Sequence, residues 1–172
     1  MKVFLLVNPS AGGGRAKAVA REAVGLLKQK GVDMESAESE SAQDLTELAR
    51  MAAQTDSDRV LVVGGDGTWH FALNGLARTG MPAALIPCGR GNDFCRNINL
   101  PLDVSQAVTA ALEGPVKDLD LVWTGTRHYI GVGGVGFDSE VTECANTQIP
   151  LFTGALAYSA AVFYKLFAFK SK

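Results

Sequence analysis

Three times before Phe94 the chain passes from a short, unbroken apolar run directly into a loop containing glycine. Val3-Phe4-Leu5-Leu6-Val7 leads into Asn8-Pro9-Ser10-Ala11-Gly12-Gly13-Gly14-Arg15. Val60-Leu61-Val62-Val63 leads into Gly64-Gly65-Asp66-Gly67-Thr68, and Ala83 to Ile86 leads into Pro87-Cys88-Gly89-Arg90-Gly91-Asn92-Asp93-Phe94. Continuous runs of β-formers suit strands buried on both faces. Between the runs the apolar period changes to that of a helix. Ala16, Val19, Ala20, Ala23, Val24 and Leu27 recur at helical spacing up to Gly31, a residue suited to a helix C-terminus. Ser41 is a plausible cap for a helix to Gln54 that places Leu45, Leu48, Ala49 and Ala52 on one face. Phe71, Leu73 and Leu76 mark a helix after the second loop, and Val32 to Ser39 reads as a weaker strand. Strands alternating with helices predict an α/β fold with an open parallel sheet and flanking helices.

The pattern changes near Pro115. Asp118 to Trp123 and His128 to Val132 read as strands separated only by Thr124-Gly125-Thr126-Arg127, a spacing for a hairpin and not a crossover. The expected organisation is an α/β domain over residues 1–114, followed over 115–172 by the start of an antiparallel β-rich second domain. Gly154 to Phe169 forms a helix apolar on most sides, shorter than the about 20 residues of a membrane span. Such helices are normally buried, and the chain offers little for this one to pack against, so further sequence downstream is expected.

A formal net charge of −2 and a pI near 5.7 give no cation excess for a nucleic-acid backbone. Cys88, Cys95 and Cys144 have neither paired metal-ligand spacing nor disulfide density, and read as free thiols. The apolar run at the N-terminus is too short for a signal peptide, so a cytoplasmic protein is expected.

In a parallel sheet the three glycine loops open at one edge, where open α/β sheets bind ligands. Gly64, Gly65 and Gly67 let backbone N–H groups approach an anion, and the following helix adds its positive end, so phosphate is the natural ligand. Asp66 beside an anion has two readings: it shares a divalent cation with the phosphate, or it caps the helix beginning at Thr68. Other phosphate motifs fail, because Lys17 replaces the third glycine of a dinucleotide fingerprint and no loop reads as a Walker A sequence. His70 and His128 have no ligand partner in sequence and read as structural or surface residues.

Taken in order, Asn8-Pro9-Ser10-Ala11-Gly12, Gly64-Gly65-Asp66-Gly67-Thr68, Asn74-Gly75-Leu76, Gly91-Asn92-Asp93-Phe94 and Gly136-Phe137-Asp138 resemble the diacylglycerol kinase catalytic domain family. That family includes bacterial lipid kinases and the related sphingosine and ceramide kinases, and the likeness runs to Tyr158–Phe169. The resemblance implies Mg²⁺-dependent transfer of the γ-phosphoryl of ATP to a lipid hydroxyl such as that of diacylglycerol. Under it Asn8, Ser10, Gly12, Ser39, Gly64, Gly65, Asp66, Gly67, Thr68, Gly89, Arg90, Asn92 and Asp93 bind the nucleotide. Asp66 is then the catalytic residue and the contact for nucleotide-bound Mg²⁺. The lipid implies a cytoplasmic protein working peripherally at a membrane surface, and a homo-oligomer is compatible with it.

Two positions depart from the family pattern: Phe71 stands where Glu is common, and Arg90 where Thr is common, and Arg cannot copy a hydroxyl's size or lone pairs. The resemblance also implies that the carboxylate base and a structural metal site belong to a second domain mostly outside this sequence. Asp138 reads as a turn or helix-capping residue. A catalytically silent nucleotide-binding or regulatory module, and a kinase for NAD or a sugar phosphate, are the competing readings.

Overall fold

The computed structural model describes residues 1–131, 136–147 and 155–168. They fall into two compact units, Met1–Gly131 and Val132–Lys172. In the first, β1 (Lys2–Val7), a single 3-10 turn (Ala11–Gly14), α1 (Ala16–Gln29), β2 (Asp33–Glu38), α2 (Ala42–Ala52), β3 (Arg59–Gly64), α3 (Asp66–Leu76) and β4 (Ala83–Pro87) follow in order. They are succeeded by α4 (Asp93–Asn97), α5 (Val104–Glu113), β5 (Val122–Trp123) and β6 (His128–Tyr129).

The four long strands form one wholly parallel sheet in the order β2-β1-β3-β4. Val3 of β1 pairs with Met34 on one side and Arg59 on the other, while Val63 pairs with Ile86. The strand alternation sorts the apolar runs into two layers. Val3, Leu5, Val7, Leu61, Val63 and Ile86 pack with α1 and α5. Phe4, Leu6, Val60, Val62 and Leu85 pack with α2, α3 and α4. Covering both faces explains why β1 and β3 carry unbroken apolar runs. The second strand, at the sheet edge, is exposed at four of its six positions, and its sequence signal is correspondingly weak.

Local chemistry sets the helix ends. The Ser41 hydroxyl accepts the Asp44 N–H at 3.1 Å, and the Asp103 carboxylate accepts the Gln106 N–H at 3.0 Å. Each such cap stabilises its helix by about 1 kcal/mol. Gly31 follows α1 at a φ of 66°, the left-handed exit expected of it. At the α2–α3 seam, a Cβ on Gly75 would lie 2.2 Å from the Thr46 carbonyl oxygen, so the helices touch where one has no side chain.

The hairpin is antiparallel, with Val122 opposite Tyr129 and the Thr124 N–H donating to the Arg127 carbonyl. It is shorter than the sequence runs. Within the first unit it is held by α3, where Asn74 grips β6: its Nδ2 donates to the His128 carbonyl at 2.9 Å and its Oδ1 accepts the His128 N–H at 2.8 Å. Asn74, Gly75 and Leu76 thus act in packing: one holds β6, one admits α2, and one is buried in the core.

In the second unit the described residues form α6 (Phe137–Thr147) and α7 (Ala155–Ala168), packed through Val141, Cys144 and Ala161. Lys165 pairs with Glu140 at 3.0 Å. Asp138 lies in the first turn of α6 and accepts the Tyr158 hydroxyl. The apolar segment at the end is helical as expected, yet Phe163, Tyr164, Leu166 and Phe167 are exposed within it, Phe167 to 92%. Among the described residues no helix is long and apolar enough to cross a membrane.

Candidate functional site

The parallel sheet brings the loops after β1, β3 and β4 to one edge, and side chains tie them together. Asn8 joins the first loop to the second, its Nδ2 donating to the Thr68 hydroxyl at 3.0 Å while its Oδ1 accepts the Ser10 N–H at 3.1 Å. Thr68 is buried directly beneath Gly64, where a Cβ would fall 2.3 Å from the threonine side chain.

Asp66 joins the second loop to the third. The helix-cap reading of this residue fails, because α3 begins at Asp66 itself with Gly65 as its N-cap. Its Oδ1 instead accepts the Phe94 N–H at 3.0 Å, serving the start of α4. The other oxygen, Oδ2, lies 3.3 Å from where a Cβ on Gly91 would sit, and Asp93 Oδ2 lies 3.2 Å from the same point. Two carboxylates therefore border one glycine. Among the described residues no group of three or more His, Cys, Asp or Glu gathers as a metal cage.

Closest approach is between backbones. A Cβ on Gly89 would come within 2.8 Å of Gly65 Cα and 2.6 Å of Asn92 Oδ1. Gly12 has a φ of 63°, and a Cβ there would meet the Cys88 carbonyl oxygen at 2.2 Å. Only glycine fits at such crossings. Asn92 is buried in the left-handed region, with Nδ2 donating to the Gly89 carbonyl at 3.0 Å and its Oδ1 without a hydrogen-bond partner.

Arg15, not among the residues expected to bind the nucleotide, spans the first and third loops through the carbonyls of Gly12, Cys88 and Gly89. Its position after three glycines is the only sequence signal, and the acceptors lie 73 and 74 residues away. Asn8, Gly12, Gly64, Gly65, Asp66, Gly67, Thr68, Gly89, Arg90, Asn92 and Asp93 all belong to these three loops or the helix starts behind them. Ser10 and Arg90 are exposed. Ser39, just past β2, is buried and turned to the sheet, its N–H donating to the Val7 carbonyl at 2.9 Å and its hydroxyl lying 3.4 Å from the same oxygen.

Phe71 is half-buried against the α2–α3 layer, and its carbonyl accepts the Thr46 hydroxyl at 2.9 Å. Burial pushes the Cys95 thiol up to about 11, with the negative charge of Asp66 adding to the effect. The Cys88 thiol is also raised by burial, partly opposed by Arg15. Burial, and then Arg127, lower His70.

Known proteins resemble this chain in sequence and in fold. Residues 2–124 match the family described as the diacylglycerol kinase catalytic domain. A diacylglycerol kinase of Mycobacterium tuberculosis is 36% identical over 156 residues, covering 84% of this chain and 49% of the relative. One from Bacillus subtilis is 28% identical over 157 residues, covering 90% and 52%. The crystal structure of a Bacillus anthracis diacylglycerol kinase superposes with a TM-score of 0.64 at 31% identity, over 74% of this chain and 47% of that one. The chain thus spans about half the length of these relatives. By its glycine loops, its parallel sheet and these matches, the chain belongs to the diacylglycerol kinase catalytic domain family.

Proposed function

We propose that this chain is the nucleotide-binding part of an ATP-dependent lipid kinase, which passes the γ-phosphoryl group to a lipid hydroxyl such as that of diacylglycerol. The observation that carries the reading is the convergence of three glycine loops, tied by Asn8 to Thr68 and by Asp66 to the Phe94 N–H. Unhindered backbone donors next to the N-terminus of α3 suit the β- and γ-phosphates of ATP.

Asp66 and Asp93 also fit Mg²⁺. That ion keeps several waters and commonly takes one or two carboxylates together with substrate phosphates, so a full protein cage is not required. Asp66 keeps one oxygen outside its bond to Phe94, and Asp93 borders the same glycine. When bound, the ion neutralises phosphate charge. In the transfer, the lipid oxygen bonds to the γ-phosphorus, the bond to the β–γ bridging oxygen breaks, and ADP leaves. Such a reaction asks the protein mainly for positioning and charge stabilisation. The loop cluster supplies these, and no residue of it is assigned as the base that takes the hydroxyl proton.

Radiolabelled ATP with Mg²⁺ and vesicles containing diacylglycerol tests the proposal. Label appearing in the lipid supports it. ATP binding without transfer supports the silent nucleotide-binding module, and transfer only to a soluble acceptor such as NAD overturns the lipid reading.

A further inference from the structure

Arg15 is exposed at the end of the first glycine loop, yet its guanidinium is committed to backbone. Its Nε donates to the Gly12 carbonyl at 3.1 Å, and its Nη2 donates to the carbonyls of Cys88 at 3.0 Å and Gly89 at 3.2 Å. The ion pairs among the described residues engage Lys2, Lys30, Arg50 and Lys165, and none involves Arg15. It is thus a cation that holds carbonyl oxygens without being neutralised by a carboxylate.

What it does to those peptides follows from their planarity. In a trans peptide the C=O of one residue and the N–H of the next point in opposite directions, and no described peptide is cis. Holding the oxygens of Cys88 and Gly89 therefore turns the N–H groups of Gly89 and Arg90 away from Arg15. Neither N–H has a hydrogen-bond partner among the described residues. Two adjacent free donors, a nearby unpaired cation and two further glycine loops make a place for an anion.

We infer that Arg15 is a positioning residue of the nucleotide site: by gripping the carbonyls of Cys88 and Gly89 it aims the N–H groups of Gly89 and Arg90 at a phosphate of ATP. The inference rests on the nucleotide reading above and adds to it a residue and a mode of action. The role requires arginine. A planar fork with five donors reaches acceptors on two loops at once, whereas a lysine ammonium is a single point at the end of a flexible stem. Gly12 is part of the same device, since the Cys88 carbonyl held by Arg15 occupies the space a side chain there would need.

The test combines ATP titrations of the whole chain, followed by calorimetry and by the amide resonances of Gly89 and Arg90, with thermal melting of Arg15→Lys and Arg15→Ala. In the unchanged chain, Mg²⁺ and ATP should shift both amide resonances. Arg15→Lys should weaken ATP binding about tenfold, the scale of losing one hydrogen bond to a charged group, while melting within a few degrees of the unchanged chain. Added guanidinium ion should restore part of the binding of Arg15→Ala, because it can donate to the same carbonyls, and the ATP response of the Gly89 and Arg90 amides is what a purely structural staple would not predict.

If the unchanged chain binds ATP with neither amide responding, or Arg15→Lys binds it equally well, this inference fails and the nucleotide reading stands. Failure of the unchanged chain to bind ATP overturns both. Should the variants unfold, unresponsive Gly89 and Arg90 amides in the unchanged chain still overturn the inference.

Discussion

The Asp66 carboxylate accepts the backbone N–H of Phe94 at 3.0 Å, linking the first turn of α3 to the start of α4. One oxygen is thereby used in structure, and the other is left beside Gly91 and Asp93. The two functions separate by substitution. Asp66→Asn keeps an oxygen acceptor and should cost at most about 1 kcal/mol, whereas Asp66→Ala also leaves the Phe94 N–H unpaired and should cost about 1–3 kcal/mol. Both should lose Mg²⁺-dependent ATP binding, because the anionic charge is gone. Melting curves and calorimetry read these outcomes, and normal Mg²⁺-dependent binding by Asp66→Asn would remove the metal role.

Gly67 and Gly75 lie in the same helix and should respond in opposite ways to alanine. A Cβ on Gly75 would meet the Thr46 carbonyl oxygen at 2.2 Å and Ala49 Cβ at 2.8 Å, so Gly75→Ala must force α2 and α3 apart. An overpacking cost of about 1–3 kcal/mol is expected. A Cβ on Gly67 meets nothing within 4 Å, so Gly67→Ala should melt no lower than the unchanged chain while binding ATP more weakly. Equal destabilisation of the two variants in urea titrations would contradict this account.

Asn74 holds β6 through both polar atoms of its amide, with a further bond from Nδ2 to the His70 carbonyl at 2.8 Å. Asn74→Ala should destabilise the first unit by about 1–3 kcal/mol, since it strips partners from half-buried backbone groups. The specific signature is faster hydrogen exchange at the His128 amide. Unchanged exchange there would show that the hairpin is held by other contacts.

Stability should fall at alkaline pH through Cys95. Its folded-state thiol is pushed up to about 11 from an ordinary value of 9.0, burial being the larger cause and Asp66 the smaller. An acid whose folded pKa is raised loses nothing below its unfolded value. Above pH 9 the unfolded chain releases the proton first, so stability declines as pH rises towards 11. Cys95→Ala should flatten that decline in urea titrations at pH 8 to 11. Cys88, also raised by burial, keeps part of the slope, so a slope in the variant as steep as in the unchanged chain would assign the effect elsewhere.

Much of the first unit could be read from local pattern. Apolar runs ended by glycine or proline gave β1, β3 and β4, and capping residues such as Ser41 and Gly31 marked helix ends, because these signals act between near neighbours in sequence. The hairpin was legible as two strands around Thr124–Arg127, although its pairing is only two residues deep on each side. The short α4 and the helix α6 were not anticipated, as brief or mixed polar segments carry little periodicity. The end of the Gly154–Phe169 segment and Val132 of the expected second hairpin strand lie outside the described residues.

The sequence by itself determined that three strands would open into glycine loops, and that Gly64 to Thr68 would turn a buried strand tightly into a helix. Tertiary structure alone decided how those loops meet. The order β2-β1-β3-β4 places the β1 and β3 loops on adjacent strands and β4 next to β3, which brings Asn8 to Thr68, Asp66 to the Phe94 N–H and Arg15 to Cys88. It also settled that Asp66 does not cap its own helix and that the Phe71 carbonyl is taken by Thr46 of α2. The physical reason is range: strand and helix periods are fixed by residues a few positions apart, whereas strand order and loop contacts depend on which apolar faces can be buried together across the whole unit.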